Sequence, residues 1–303
     1  MKKIYVGISG IGSYVPDKVI TNFDLSKMVD TSNEWIVDRT GIEERRVVED
    51  NIAASDIATI AAKRALEDGK TNPEDIDLII VATVTGDHAF PSTACIVQKN
   101  LGATKAAAFD INAGCSGFVY SLDIGQRFIS TGAYKKVLVI GAETLSKITD
   151  WEDRNTCVLF GDGAGACLLE ETEEGLGILS SELGSKGQDG EVLIQPGGGS
   201  RHPASEDTIA NKLHYIKMDG REVFKFAVRV MEKATINVIE KANLKLEELD
   251  FLVPHQANIR IIAAAEKRLN LGKDKVYINL NKYGNMSSAS IPVALDEAIK
   301  AKK

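Results

Sequence analysis

The chain has 303 residues, 44% apolar and 26% charged, with a formal net charge of −7. This is the balance of a soluble globular protein with a substantial core, built as one large domain or two of ordinary size. The acidic excess disfavours non-specific binding to nucleic acid or to anionic membranes, while leaving room for a local basic patch. The four cysteines, Cys95, Cys115, Cys157 and Cys167, form no CxxC pair, which is the pattern of free thiols in a reducing compartment. After Met1-Lys-Lys-Ile-Tyr-Val, the sequence Gly7-Ile-Ser-Gly10 prevents an apolar signal region, and no run approaches membrane-spanning length, so a cytoplasmic protein is expected.

In chain order, Ile4 to Ile11 reads as a first strand. Gly10-Ile-Gly12 is no dinucleotide loop: Val15 stands where a third glycine is needed, and Pro16-Asp17 follows instead of a helix. Asn22 to Asp30 is expected to be a short helix with Asn22 as N-cap, and Ser32 to Ile42 a second, stopped by Gly41. Ile52 to Asp68 has the spacing of a long amphipathic helix, and Asp77 to Thr85 is a continuous apolar strand of the kind buried in parallel sheets. A helix from Pro91 to about Leu101 precedes a strand from Lys105 to Ile111, a helix from Phe118 to Ile129 and a strand from Val137 to Ala142. Gly161-Asp-Gly163-Ala-Gly165 lies within the apolar Cys157 to Leu169. No Lys-Ser/Thr follows, so it is not a phosphate loop and reads as a strand pair around a tight turn. Gly184 to Glu206, rich in Gly, Ser and Pro, is a long loop. A long helix then runs from Asp219 to about Ala242. Phe251 to His255 (strand), Asn258 to Leu269 (helix), Val276 to Leu280 (strand) and Ile291 to Lys300 (helix) complete an α/β chain with mainly parallel strands.

Gly114-Cys115-Ser116-Gly117 falls between a strand and a helix. Glycines on both sides of a thiol can leave the sulfur exposed at a helix N-terminus, where the dipole and free N–H groups favour thiolate. A buried structural cysteine is the equally weighted alternative.

The chain also repeats itself. Gly102 precedes Cys115 by 13 positions, and Gly272 precedes Asn285 by 13, each after a long helix and an apolar strand. Two duplicated α/β halves, 1–172 and 173–303, are expected, with Cys115 and Asn285 in equivalent turns at strand C-termini, where open α/β sheets place their sites. His255 ends a neighbouring strand of the second half. A thiol, an imidazole and an amide suit two reaction classes. One is hydrolysis, with His as base and Asn as orienter; the other is acyl transfer to carbon, with His and Asn both donating to an enolate oxygen. A nearby imidazole would lower the thiol pKa.

Five motifs carry a family resemblance: Asp30-Thr-Ser-Asn-Glu-Trp-Ile-Val-Asp-Arg-Thr-Gly-Ile42, Asp110-Ile-Asn-Ala-Gly-Cys-Ser-Gly-Phe118, Phe160-Gly-Asp-Gly-Ala-Gly165, Pro254-His-Gln-Ala-Asn-Ile-Arg260 and Tyr283-Gly-Asn-Met-Ser-Ser288. In this order, over Met1 to Ala298, the chain resembles the β-ketoacyl-acyl-carrier-protein synthase III family of condensing enzymes. The resemblance implies a thiolase-like fold, α-β-α-β-α in layers, and a homodimer. It implies that Cys115 takes an acyl group from acyl-CoA, and that His255 and Asn285 stabilise the enolate formed by decarboxylation of malonyl-acyl carrier protein. No metal or redox cofactor is implied. It further assigns CoA contacts to Thr31, Trp35, Arg39, Arg154 and Asn258, the acyl pocket to Phe90 (across the dimer interface) and Phe160, and carrier-protein docking to Lys225 and Arg260. Thiolases proper use a second cysteine as base. With Asn285 read as the counterpart of Cys115, decarboxylative condensation is expected instead.

Family members continue with two further strands and a glycine-rich loop that adds an oxyanion-hole N–H to that of Cys115; these are expected to be missing from the second half. A starter-unit ketosynthase of secondary metabolism, with another acyl group, and an inactive acyl-CoA- or carrier-protein-binding homologue share the motifs. A panel of acyl-CoAs separates the three.

Overall fold

The computed structural model describes residues 3–302; Met1 and Lys2, which open the N-terminal stretch read above, and Lys303 lie outside them. Five strands form one sheet: β1 (Tyr5–Tyr14), β2 (Leu78–Ala82), β3 (Ala107–Ile111), β4 (Val137–Thr144) and β5 (Asp162–Thr172). Their spatial order is β1-β5-β4-β2-β3. β2 runs parallel to both β3 and β4, while β5 is antiparallel to β4 and β1. The apolar runs that suggested buried strands are buried: every residue of β2 and β4 is covered. Both faces are packed, which is why these strands show no polar alternation.

The longer helices are α1 (Asn33–Thr40), α2 (Ala54–Asp68), α3 (Thr93–Leu101), α4 (Gly117–Ser130), α5 (Gly220–Lys241), α6 (Ile259–Leu269) and α7 (Ser290–Lys300). Their ends follow local chemistry. Ser32, Ser92, Asp219 and Asn258 cap N-termini with side-chain oxygens, and Gly41 and Gly102 close C-termini in the left-handed region. α2 and α3 cover one face of the sheet through Ile57, Ala61, Ala65 and Val97, packed on Ile79, Val81 and Leu138. α4 covers the other face through Phe118 and Ile129. There α7 joins it, placing Ile291 and Leu295 against the same cluster. The last helix of the C-terminal part is therefore a layer of the N-terminal sheet.

Four expectations are corrected. The stretch from Cys157 to Leu169 is not a strand pair around a turn: a short helix, Arg154–Cys157, is followed by the single strand β5. Its glycines are needed for close approach. A Cβ on Gly163 would lie 2.6 Å from Met286 Sδ, and one on Gly165 2.7 Å from Pro292 Cβ. The helix at 22 spans only Asn22–Leu25, and Thr21 caps it. Asn22 is instead buried, its Oδ1 accepting from both terminal nitrogens of the buried Arg45 at 2.9 Å. Neither Phe251 to His255 nor Val276 to Leu280 is a strand; a single parallel bridge joins Leu252 to Val276. Between these two stretches no ladder longer than that bridge forms among the described residues. No helix of the described residues is long and apolar enough to cross a membrane.

One of the close backbone approaches in the fold is at Gly141 of β4, where an added Cβ would meet the Ser288 carbonyl oxygen at 2.3 Å. Because backbone cannot swing aside, Gly141→Ala is expected to destabilise the protein by about 1–3 kcal/mol. Urea unfolding of the variant against the parent checks this.

Candidate active site

Cys115 sits in a one-turn 3-10 helix, Gly114–Ser116, that runs directly into α4. The turn needs φ = +55° at Gly114, which explains the glycine before the thiol. Gly117, after it, allows close packing on β2: a Cβ there would lie 2.8 Å from that of Ala82. Asp110, which opens the motif, points the other way and caps α3, accepting from Thr93 N at 2.6 Å and Ala94 N at 2.7 Å.

The facing turn, Ser287–Ala289, leads into α7 in the same manner and packs on the cysteine turn. Its backbone repeats the first turn residue by residue. Met286 (φ −102°, ψ 27°) matches Ala113 (φ −132°, ψ 26°), and Ser287 takes φ = +45° where Gly114 takes +55°. The counterpart of Cys115 is therefore Ser288, and the expected equivalence with Asn285 is corrected. The equal spacing of 13 does not mark equivalent positions, because the two glycines are not themselves equivalent. Gly102 is the left-handed cap of α3, but α6 is capped by Asn270, and Gly272 lies beyond the cap.

Asn285 precedes the turn. Its Oδ1 accepts from Ser287 N at 2.9 Å, which leaves the Nδ2 end free to donate. Its backbone is held by a bridge to Phe160, with Gly161 N donating to Asn285 O at 3.1 Å and Asn285 N to Leu159 O at 2.8 Å. The Ser287 side chain in turn reaches the Cys115 thiol. Cys115 and Asn285 are joined through Ser287.

His255 lies on the loop that the buried Gln256 anchors. Gln256 Oε1 accepts from Asn279 N and Leu280 N, at the start of the short helix Leu280–Tyr283 that delivers Asn285. His255 Nδ1 is buried without a partner among the described residues, an unspent hydrogen-bonding atom. Burial pushes its imidazole down to about 4 and pushes the Cys115 thiol up, outweighing the thiol's contacts with Ser287 and with its own N–H. Burial thus opposes the lowering of the thiol pKa that the helix N-terminus and a nearby imidazole suggest from sequence, and favours the neutral form of both groups.

At the outer end, the Trp35 ring has the Arg39 guanidinium 4.6 Å from its centre and that of Arg154 5.0 Å away. Arg154 Nη1 also donates to Asp30 O at 2.8 Å. The Thr31 hydroxyl is buried without a partner among the described residues. Asn258 spends its side chain internally, capping α6 and donating from Nδ2 to Arg39 O at 3.0 Å. Phe160 is buried against Leu145 and Ile216, whereas Phe90 is 87% exposed. Lys225 and Arg260 are surface groups paired with Glu222 (2.6 Å) and Asp38 (2.9 Å). Sequence reasoning missed Glu143, Ser287 and Ser288; a carboxylate ending the apolar run Val137 to Ala142 was the available signal. No cluster of three or more His, Cys, Asp or Glu among the described residues could hold a metal ion.

Two family models match the chain: 3-oxoacyl-[acyl-carrier-protein] synthase III over residues 109–187 and its C-terminal part over residues 239–303. A β-ketoacyl-[acyl-carrier-protein] synthase III of Caldanaerobacter subterraneus is 64% identical over 299 residues, covering 99% of this chain and 90% of that protein. The crystal structure of the corresponding synthase from Aquifex aeolicus superposes with a TM-score of 0.90 at 51% identity, over 98% of this chain and 91% of the other. That from Thermus thermophilus gives 0.91 at 46%, with the same coverage. The fold is that of a thiolase-like condensing enzyme, and the chain belongs to the β-ketoacyl-acyl-carrier-protein synthase III family.

The lowered imidazole pKa has a stability consequence. As pH falls from 6.5, the ordinary histidine value, towards 4, the unfolded chain binds a proton that folded His255 refuses. Stability present above that window is lost across it, by on the order of 2–3 kcal/mol. His255→Asn is expected to flatten this part of the stability–pH curve, as measured by denaturant midpoints between pH 7 and pH 4.

Proposed function

We propose that this enzyme condenses an acyl-CoA with malonyl-acyl carrier protein, with Cys115 as nucleophile and His255 and Asn285 as enolate-binding groups. One observation carries the reading. A half-buried thiol at the start of α4 is linked through Ser287 to an asparagine whose Nδ2 has no acceptor among the described residues. The thiol loses its proton and attacks the acyl-CoA carbonyl. The bond to the CoA sulfur breaks, CoA departs as a thiol, and an acyl-cysteine remains.

In the malonyl group the bond to the carboxylate then breaks. Carbon dioxide leaves, and the electron pair passes into an enolate whose oxygen accepts hydrogen bonds from neutral His255 and from Asn285 Nδ2. The enolate carbon attacks the acyl-cysteine carbonyl, the carbon–sulfur bond breaks, the Cys115 sulfur leaves as a thiolate that regains a proton from water, and 3-ketoacyl-carrier protein is released. The electron count closes without a metal or redox cofactor. Neutral His255 suits this role, because a hydrogen-bond donor is needed and a proton donor is not.

The outer residues fit CoA. Trp35, Arg39 and Arg154 form a stack of the kind that accepts an adenine face, and the buried Thr31 hydroxyl awaits a partner. Asn258 serves by holding Arg39. Phe160 lines the acyl pocket beside Asn285. Phe90 closes it from a second copy, since β3 has only β2 beside it and leaves an edge free for pairing. The division into halves 1–172 and 173–303 is part of this proposal, and an acyl-CoA substrate goes with a cytoplasmic location.

Intact-mass and peptide mapping after acetyl-CoA treatment should find one acyl group, on Cys115. Cys115→Ala should abolish both the adduct and ketoacyl product, and an adduct elsewhere would refute the assignment. Lys225→Glu is expected to raise the KM for malonyl-carrier protein several-fold while acyl loading persists; equal loss of both half-reactions would count against docking at Lys225.

A further inference from the structure

Glu143 ends β4, is fully buried, and is the only glutamate among the buried residues described. No step proposed above uses it. Its Oε2 accepts from the Thr85 hydroxyl at 2.7 Å and from Val84 N at 3.1 Å. The Thr85 hydroxyl oxygen also accepts from Thr144 N at 2.8 Å, which leaves its one hydrogen for Oε2. The other oxygen, Oε1, lies 2.8 Å from Ser288 Oγ. Ser288 Oγ also lies 2.8 Å from Ala82 O. A serine hydroxyl has one hydrogen, and a backbone carbonyl can only accept. With that hydrogen on Ala82 O, the contact to Oε1 requires a hydrogen on the carboxyl. The Ser287 hydroxyl reaches the same carboxyl and the Cys115 thiol.

We propose that Glu143 is a positioning residue held as a neutral carboxylic acid, which donates to Ser288 and so clamps the Asn285-bearing turn against the cysteine turn. This rests on the reading of Cys115 and Asn285 given above. The acid form has two consequences. It lets the Ser288 hydroxyl serve both Ala82 O and the Glu143 carboxyl with its single hydrogen. It also keeps a negative charge away from Cys115, the one titratable neighbour that registers Glu143; the groups facing Glu143 from the other elements, Thr83, Val84, Thr85, Ser287 and Ser288, are neutral. Burial favours the same protonation state.

The test begins with the wild-type enzyme, once its Cys115 has been shown to acylate. Infrared spectra of protein labelled with 13C-glutamate should contain a protonated-carboxyl C=O band at pH 7. The band should vanish in Glu143→Gln, whose amide reproduces the pattern of one donor and one acceptor. If wild type lacks the band and shows carboxylate alone, the proposal is overturned.

The rate of Cys115 alkylation by iodoacetamide against pH gives a second reading. The Gln profile should overlay that of wild type, whereas a profile moved to lower pH would mean that a carboxylate had been removed. Glu143→Ala should slow condensation by at least about tenfold more than it slows acylation, because the loosened turn carries Asn285. Equal slowing of both half-reactions would overturn the positioning role.

Discussion

The contact between the Met286–Ala289 turn and the glycine-lined surface of β4 and β5 is the constraint on which the site depends. Gly141, Gly163 and Gly165 leave no room for side chains where Ser288, Met286 and Pro292 sit. That absence lets the backbone of the C-terminal part settle within van der Waals distance of the N-terminal sheet. The close approach brings two matching turns together, one carrying the thiol and the other following the asparagine. With bulkier residues on the strands, both turns could still form, but they would stand too far apart to share Ser287.

Polar groups in this dry contact are neutral or hydrogen-bonded. Burial moves the thiol up and the imidazole down, so neither carries charge before substrate arrives. In the proposed reaction, a site without fixed charge leaves uncompensated only the charge that the reaction creates, and Asn285 and His255 are the proposed donors to meet it. Ser287 bears part of the cost, since a non-glycine residue at φ = +45° is strained. The strain persists because its N–H and hydroxyl are both engaged.

The outer end has a different character. Trp35, Arg39 and Arg154 are half-exposed or exposed, and Arg154 is held at Asp30 as well as over the ring. Such a stack can admit an aromatic ligand face at the expense of weak surface contacts. In the proposed reaction, recognition of CoA and control of the reacting centre are thereby assigned to separate parts of the structure.

Most of this was legible in the linear chain where the cause is local. Buried strands announced themselves as unbroken apolar runs, helix ends as capping residues and glycines, and Cys115 as a thiol between glycines at a strand–helix junction. Local signals failed where two distant segments meet. The glycines of 161–165 read as a turn because glycine is permissive in turns, but they serve close packing, which depends on a partner 120 or so residues away. The pairing of Cys115 with Ser288, the orientation of Asn285 by Ser287 and the environment of Glu143 were decided only by tertiary structure. Each rests on which backbone lies within about 3 Å of which side chain, and hydrogen bonding has that reach in space but leaves no periodic mark along a sequence.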